Sequence, residues 1–301
     1  MIFEVKNVEK LIGHKGAIYK IIISRYRNIL YSTGGDGWVV KWDFLHSKEG
    51  ILIAKDEDNI FALSELNEET LLAGTLQGNL LIINTVDKFP RKLKLHRHAI
   101  YDILLVHDKV YTVGADGLLN ELSAKDLRVL NTYRISMKAL RKAIVVDGSQ
   151  LYIASSDGKI YVFNTLKNTV DQILDQNTDK AIFSLAEYHQ QQKIISGSMD
   201  AHLRIWDLNS KSLQKTIPAH LYTINDVLID PLNKLLFSAG RDKHIKVWAM
   251  EDMSLLKVID FHKFKAHTHS VNTLCLYSKE NILLSAGDDR EIIKIQYQSF
   301  L

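Results

Sequence analysis

Little in this sequence offers a covalent or metal anchor. Cys275 is the one cysteine among 301 residues, so an intrachain disulfide is excluded and a reducing, cytoplasmic setting is expected. No Cys-x-x-Cys pair occurs, and His262, His267 and His269 with Cys275 downstream match no zinc spacing, so no metal is expected. Three prolines leave little scope for disordered linkers. No apolar run approaches the roughly 18 residues that a membrane helix needs, and Glu4, Lys6, Glu9 and Lys10 interrupt the segment where a signal peptide would sit, so no membrane partner is expected. The glycines form no G-x-x-x-x-G-K-S/T loop, which leaves nucleotide chemistry without its usual phosphate cradle and predicts no cofactor. A net charge of +3 is too mild to argue for nucleic acid by itself.

What the chain does contain is a repeat. Ser32 to Asp43 (STGGDGWVVKWD), Ser196 to Asp207 (SGSMDAHLRIWD) and Ser238 to Trp248 (SAGRDKHIKVW) each run through a strand, a tight turn with an Asp, and a second strand reaching Trp. In all three the Asp lies four residues after the Ser and six before the Trp. The turn Asp or its stand-in falls at Asp36, Gln77, Asp116, Asp157, Asp200, Asp242 and Asp289, at spacings of 41, 39, 41, 43, 42 and 47 residues. A unit of about forty residues therefore occurs seven times. Asp36-Gly37, Asp116-Gly117 and Asp157-Gly158 carry hairpin chemistry, since the glycine accepts the positive φ of a two-residue turn. Short strands at even spacing, with helices nowhere needed, predict an all-β chain. A histidine precedes the turn Asp by 22 residues at His14, His220 and His267.

These residues resemble the WD40 repeat, with Gly13-His14 or Ala219-His220 near the start, an Asp in a hairpin turn, and Trp-Asp at the end. The resemblance covers essentially the whole chain, strongly in repeats one, five, six and seven and weakly in two to four. It implies a seven-bladed β-propeller of four-stranded antiparallel blades, forming one domain over residues 1–301. The run Ile-Phe-Glu-Val at residues 2 to 5 is expected to close the last blade, which removes a sheet edge that would otherwise recruit another chain.

His220, Ser238 and Asp242 have the residue types of a hydrolytic triad. The set recurs as His14, Ser32 and Asp36, as His96, Thr112 and Asp116, and as His267, Ser285 and Asp289, and a catalytic site is not normally built four times. In the family these types form a hydrogen-bonded chain ending on the Trp, which predicts structural tetrads closing on Trp42 and Trp248. Repeat five offers Ser196, Asp200 and Trp206, with Thr178 near the histidine place. An enzyme is not expected.

One position, just after the first apolar residue of each innermost strand, holds Tyr19, Phe61, Tyr101, Arg141, Phe183, Asn225 and Asn272. In the WD40 family it lies near the rim of the face where partners commonly dock, and four aromatics with an arginine suit a hot-spot patch. The residue before each turn Asp should border that face, adding Leu76, Met199 and Arg241. The family resemblance thus implies a scaffold that binds proteins or peptides there; the plainer reading is that some of the rings plug the central channel. A rival reading is nucleic-acid binding through the basic stretch Lys88 to His98, which includes Arg91, Lys92, Lys94 and Arg97, joined by Arg128, Arg134, Lys138, Arg141 and Lys142. Ligase-receptor propellers often carry Trp-Asp-x-Arg, whereas Trp42-Asp43-Phe44-Leu45 and Trp206-Asp207-Leu208-Asn209 lack the arginine, which weakens an adaptor role in ubiquitin transfer.

Overall fold

Within each repeat, burial is greatest in the second strand and falls toward the fourth. The second strands, such as Leu235–Gly240 and Ile282–Gly287, are buried at every position, so they read as continuous apolar runs. A fourth strand such as Val129–Arg134 is almost wholly exposed and polar. In the computed structural model, which describes residues 2–86 and 90–300, these strands form seven four-stranded antiparallel sheets. Blade one comprises Ile18–Ile23, Leu30–Gly34, Trp38–Trp42 and Gly50–Lys55 from the inside outward. The inner strands touch their neighbours in a closed ring, with the blade-one strand packed against those of blades two and seven. Seven separate apolar clusters result, several of them shared between adjacent blades, as where Trp42 and Leu30 meet Leu284 and Tyr277. The chain is nearly all-β: the exceptions among the described residues are two three-residue 3-10 turns and the helix Phe261–Phe264, which takes in His262 and is capped by the Asp260 carboxylate accepting from Lys263 N–H at 2.8 Å. No helix among the described residues is long and apolar enough to cross a membrane.

The N-terminal strand Ile2–Ile12 is the outer strand of blade seven and pairs from Ile2 opposite Phe300 to Ile12 opposite Glu291. The Phe3 ring stacks on Tyr297 at 5.1 Å and meets Phe237 of blade six edge-on at 6.1 Å. Tyr297 donates its hydroxyl to the fully buried Asp230 at 2.5 Å, and that carboxylate also accepts from Asn233 Nδ2 at 2.6 Å. Tyr297→Phe is expected to lower the unfolding free energy by about 1 to 2 kcal/mol, since a hydrogen bond to a buried charge is lost while its other donors remain. An unchanged urea midpoint would show that the hydroxyl adds nothing to closure.

Two backbone features recur in every blade and place the side chains that matter. The residue after each turn position is left-handed in all seven: Gly37, Gly78, Gly117, Gly158, Ala201, Lys243 and Arg290, with φ between 65° and 82°. At Gly117 a Cβ would lie 2.1 Å from the Ser136 carbonyl oxygen, so that turn has no room for a side chain. The second feature is a register shift in each inner strand, such as between Ile18 and Lys20 or between Leu140 and Lys142. A bulge leaves one residue out of the ladder and re-aims its side chain. The seven bulged residues are Tyr19, Phe61, Tyr101, Arg141, Phe183, Asn225 and Asn272.

Candidate binding face

The bulged residues ring one mouth of the central channel, each half-buried. Five of them make a continuous arc. Tyr19 stacks on Phe61 with centroids 4.6 Å apart, Phe61 meets Tyr101 edge-on at 5.7 Å, and the Arg141 guanidinium lies 4.4 Å from the Tyr101 centroid and 5.1 Å from that of Phe183. Arg141 Nε donates to Ser156 Oγ at 2.8 Å, which orients the fork, and among the described residues its two terminal nitrogens have no hydrogen-bond acceptor. The two asparagines behave differently. Asn225 donates to Ser270 Oγ and the Val271 carbonyl, both at 2.9 Å, and Asn272 donates to the Ile18 carbonyl at 3.0 Å and Asp288 at 2.7 Å. Their amide hydrogens therefore tie blades six, seven and one together at the rim.

The residue before each turn position sits beside this ring because its N–H donates to the carbonyl two residues ahead of the bulge. These bonds run from Gly35 to Ala17, Leu76 to Asn59, Met199 to Ala181 and Arg241 to Thr223, at 2.7 to 2.8 Å. Leu76, Met199 and Arg241 are all exposed there. Sequence reasoning missed three apolar neighbours, Met137, Leu221 and Tyr222, which are 83%, 77% and 62% exposed on the loops entering blades four and six. Their signal was available: they lie one or two residues after the residue at or near the histidine place, Ser136 or His220, where the chain turns toward the same mouth.

The basic stretches are divided by the fold. Lys88 lies outside the described residues. Lys92 pairs with the buried Asp56 at 2.6 Å, and Lys142 points into the channel and pairs with Asp102 at 2.9 Å. Lys94, Arg97, His98, Arg134 and Lys138 instead collect on the aromatic face in blades two to four, all exposed. Lys94 donates to the Gln77 carbonyl, and Arg134 to the carbonyls of Asp116 at 3.1 Å and Ser136 at 3.4 Å. A cleft of about 440 Å³ opens between these blades, lined by Leu76, Gln77, Lys94, Arg97, His98 and Tyr101 among others.

Below the mouth, the channel carries Lys20, Asp102, Lys142 and Asp226. Asp102 accepts from Ala143 N–H at 3.1 Å, and Asp226 accepts from Ser184 Oγ at 2.7 Å and Leu274 N–H at 2.8 Å. The Lys142 ammonium beside it, together with burial, holds the Lys20 amine below its usual range. For Lys142, burial opposes the charge but Asp102 and Asp226 outweigh it and raise its pKa.

Inside the blades, the histidine chains are complete in one and six. Asp36 accepts from His14 Nδ1–H at 2.9 Å, His14 Nε2 accepts the Ser32 hydroxyl at 2.7 Å, and Ser32 Oγ accepts the Trp42 indole N–H at 2.8 Å. The carboxylate accepts only, so it fixes this tautomer. His220, Ser238, Asp242 and Trp248 repeat the chain at 2.8 to 2.9 Å. Blade seven joins His267 to Asp289 and Ser285, both at 2.9 Å, and Ile295 stands in the Trp place. In blade three His96 binds Asp116 and Thr112, each at 2.8 Å, and Asn120 Nδ2 donates to His96 Nε2 at 2.9 Å.

Blade five does not join its three residues into one chain. Trp206 donates to Ser196 Oγ at 2.9 Å, but Asp200 is held by the buried Arg204 at 2.6 Å and by the Ser198 hydroxyl. Thr178 takes no part, its Oγ1 accepting from Lys180 N–H at 3.4 Å. The guanidinium fills the space of the missing imidazole and satisfies the same carboxylate. Blade four solves the problem with hydroxyls, Ser136 at 2.7 Å and Tyr161 at 2.9 Å from Asp157. These substitutes share a sequence signal, since Asn120, Tyr161 and Arg204 all stand four residues after the turn Asp.

Among the described residues, Asp147, Glu187 and His189 bring three metal-ligating atoms within 4.8 Å of one another, with His189 Nδ1 bonded to Glu187 at 3.1 Å. His262 and His269 do not join them.

Comparison with known proteins places this architecture. The repeat described as WD domain, G-beta repeat matches residues 5–43, 169–207, 211–249 and 260–293. These stretches end on the Trp-bearing hairpins of blades one, five and six and on their counterpart in blade seven. The chain is 24% identical over 259 residues to the U5 small nuclear ribonucleoprotein 40 kDa protein of Dictyostelium discoideum, covering 78% of this chain and 70% of that one. It is 22% identical over 299 residues to Striatin of Homo sapiens, covering 95% of this chain but 34% of the relative. It also matches a WD repeat-containing protein 55 homolog of Dictyostelium discoideum at 21% over 156 residues, covering 52% of this chain and 38% of the relative. Apart from the ribonucleoprotein component, the chain thus spans only about a third of the length of these relatives. The WD40 β-propeller domain of Doa1 superposes with a TM-score of 0.83 over 98% of this chain and 96% of that domain, at 16% identity.

Proposed function

The chain belongs to the WD40 family, and from that premise we propose that it is a non-catalytic scaffold binding a protein or peptide on the aromatic-rimmed face. The observation that carries the reading is the arc Tyr19, Phe61, Tyr101, Arg141 and Phe183, which bulges lift from the ladders to one channel mouth. Rigid rings give contact area at low entropic cost, and a guanidinium held between two of them is oriented before a partner arrives. Leu76, Met199 and Arg241 extend the face outward, and Asn225 and Asn272 hold the opposite rim in shape. The histidine chains serve the scaffold, because each imidazole is buried and hydrogen-bonded within its own blade. Cys275, a free thiol, fits a cytoplasmic setting.

Replacing Tyr19, Tyr101 and Phe183 together with Ala is expected to reduce partner capture from a lysate by about tenfold or more, the loss that removing a few hot-spot residues produces. Leu130→Ala, on an exposed outer strand, should leave capture unchanged. Equal capture by the folded triple variant would overturn the reading. The nucleic-acid alternative is weakened by two contacts: Lys92 and Lys142 are spent on Asp56 and Asp102, and the rings of the arc are covered by one another and by Arg141.

A further inference from the structure

Resting on that reading of the face, we propose that its occupant is an acidic peptide segment whose carboxylates lie along blades two to four, from the cleft beside Tyr101 to the Arg141 guanidinium. Three observations carry this. The first is charge. Among the described residues Arg97, Lys138 and Arg141 make no ion pair with a carboxylate, and Lys94 and Arg134 spend themselves on carbonyls. The two turn aspartates of blades three and four are already committed. Asp116 accepts from His96, Arg97 N–H and Leu118 N–H, and Asp157 from Ser136, Tyr161 and Lys159 N–H. Five cations outnumber the acids beside them, of which Asp58 is taken by the Gln77 N–H and Glu57 is exposed at the blade-two edge, and that excess favours an anionic occupant.

The second observation is continuity. Tyr101 lines the cleft and also carries Arg141 over its ring at 4.4 Å, so one side chain joins the two anion-seeking places. The fork of Arg141, oriented by Ser156 and without an acceptor among the described residues on its terminal nitrogens, carries two parallel N–H groups, the geometry that a carboxylate fills. The third is the kind of anion. Single-stranded nucleic acid needs open ring faces on which bases stack. Here Tyr19 and Phe61 stack on each other, and Tyr101 and Phe183 are covered by the guanidinium. Exposed apolar groups flank the cations instead, Leu76 on one side and Met137 and Met199 on the other. That mixture fits a peptide alternating acidic and apolar residues.

The test is a positional-scanning library of degenerate decapeptides, each pool with one residue type fixed at one position, run against the full chain beside a U10 oligonucleotide. Pools fixed as Asp or Glu are expected to retain at least about threefold more protein than pools fixed as Gln, Asn or Lys, and Arg141→Met should reduce that preference to near unity at one or two adjacent positions. Arg97→Gln should do the same at other positions, and Arg128→Gln, outside this sector, should change nothing. Binding without acidic preference would overturn the proposal and leave the scaffold reading standing. No peptide retention at all, with capture from lysate still lost in the Tyr19, Tyr101 and Phe183 variant, would likewise sink the acidic segment alone. Retention of U10 above every peptide pool would overturn both.

Discussion

Asp242→Ala is expected to lower the unfolding free energy by about 3 to 5 kcal/mol, the loss seen when one member of a buried polar pair is deleted. The Asp242 side chain is 2% exposed and accepts from His220 Nδ1 at 2.9 Å and from the backbone N–H groups of Leu221 at 3.0 Å and His244 at 3.3 Å. Removing it strands an imidazole N–H inside the blade and frees the loop that the carboxylate ties to the turn. The effect passes on to Ser238 and Trp248, because Ser238 donates to the Nε2 atom whose acceptor role depends on the carboxylate. Asp43→Ala should by contrast stay within about 0.5 kcal/mol, since that carboxylate is exposed and pairs with an exposed histidine. The comparison is made by urea unfolding, with the midpoints of the two variants and the parent measured side by side. A loss below about 1 kcal/mol for Asp242→Ala would remove the tetrad from the list of forces holding blade six.

Acid should unfold the protein between about pH 4 and pH 2, through the same turn aspartates. Burial alone would raise the Asp242 carboxyl, but the His220 hydrogen bond and charge and the two backbone donors override it and hold it down to about 2. Asp200 is likewise pushed down to about 2, burial being outweighed by Arg204 and Ser198. Asp36, Asp116, Asp157 and Asp289 are lowered in the same direction by their own partners. A carboxyl with a depressed pKa in the folded state contributes stability that is fully present above its unfolded value of 3.8 and is lost as pH falls through the folded value. For Asp200 and Asp242 the interval corresponds to about 2 kcal/mol each. The urea midpoint should therefore fall steeply in this window, and Asp242→Asn should flatten part of the slope. A midpoint level from pH 5 to about pH 2 would show that these carboxylates are not held as their partners imply.

How much of this could be read from the chain depends on whether the partners lie within one repeat. The turn positions, the Ser, Asp and Trp spacing and the histidine 22 residues ahead are local, and one hairpin with its preceding loop brings them together. The bulge position was legible for the same reason, because it recurs once per repeat beside an invariant apolar residue. The substitutes were harder. Arg204 completes blade five from a strand position that is Val40 in blade one, and only the absent imidazole gives it room. Glu121 stands five residues after its turn Asp, where blades four and six carry Val162 and Val247. In the structure it pairs with Lys109 at 2.5 Å and accepts from Asn131 and Tyr133, both at 2.9 Å, across neighbouring strands. Lys294, equally out of pattern, pairs with Glu9 of the closing strand at 3.3 Å.

The sequence by itself determined the seven-fold repeat and the all-β class, because period and turn chemistry are properties of the chain taken a few residues at a time, and its resemblance to the WD40 repeat implied the blades and the closing strand. Only the tertiary structure decided which cations are spent. Lys92 and Lys94 are two residues apart, yet one is neutralised by the buried Asp56 and the other reaches the aromatic face. Lys142 lies next to Arg141 and points down the channel to Asp102 while Arg141 covers two rings at its mouth. Charge summed along a segment cannot separate such neighbours, since each meets its partner from another part of the fold and a bulge re-aims Arg141 out of the ladder. That sorting is what turned a diffuse basic stretch into a narrow cationic track beside the rings.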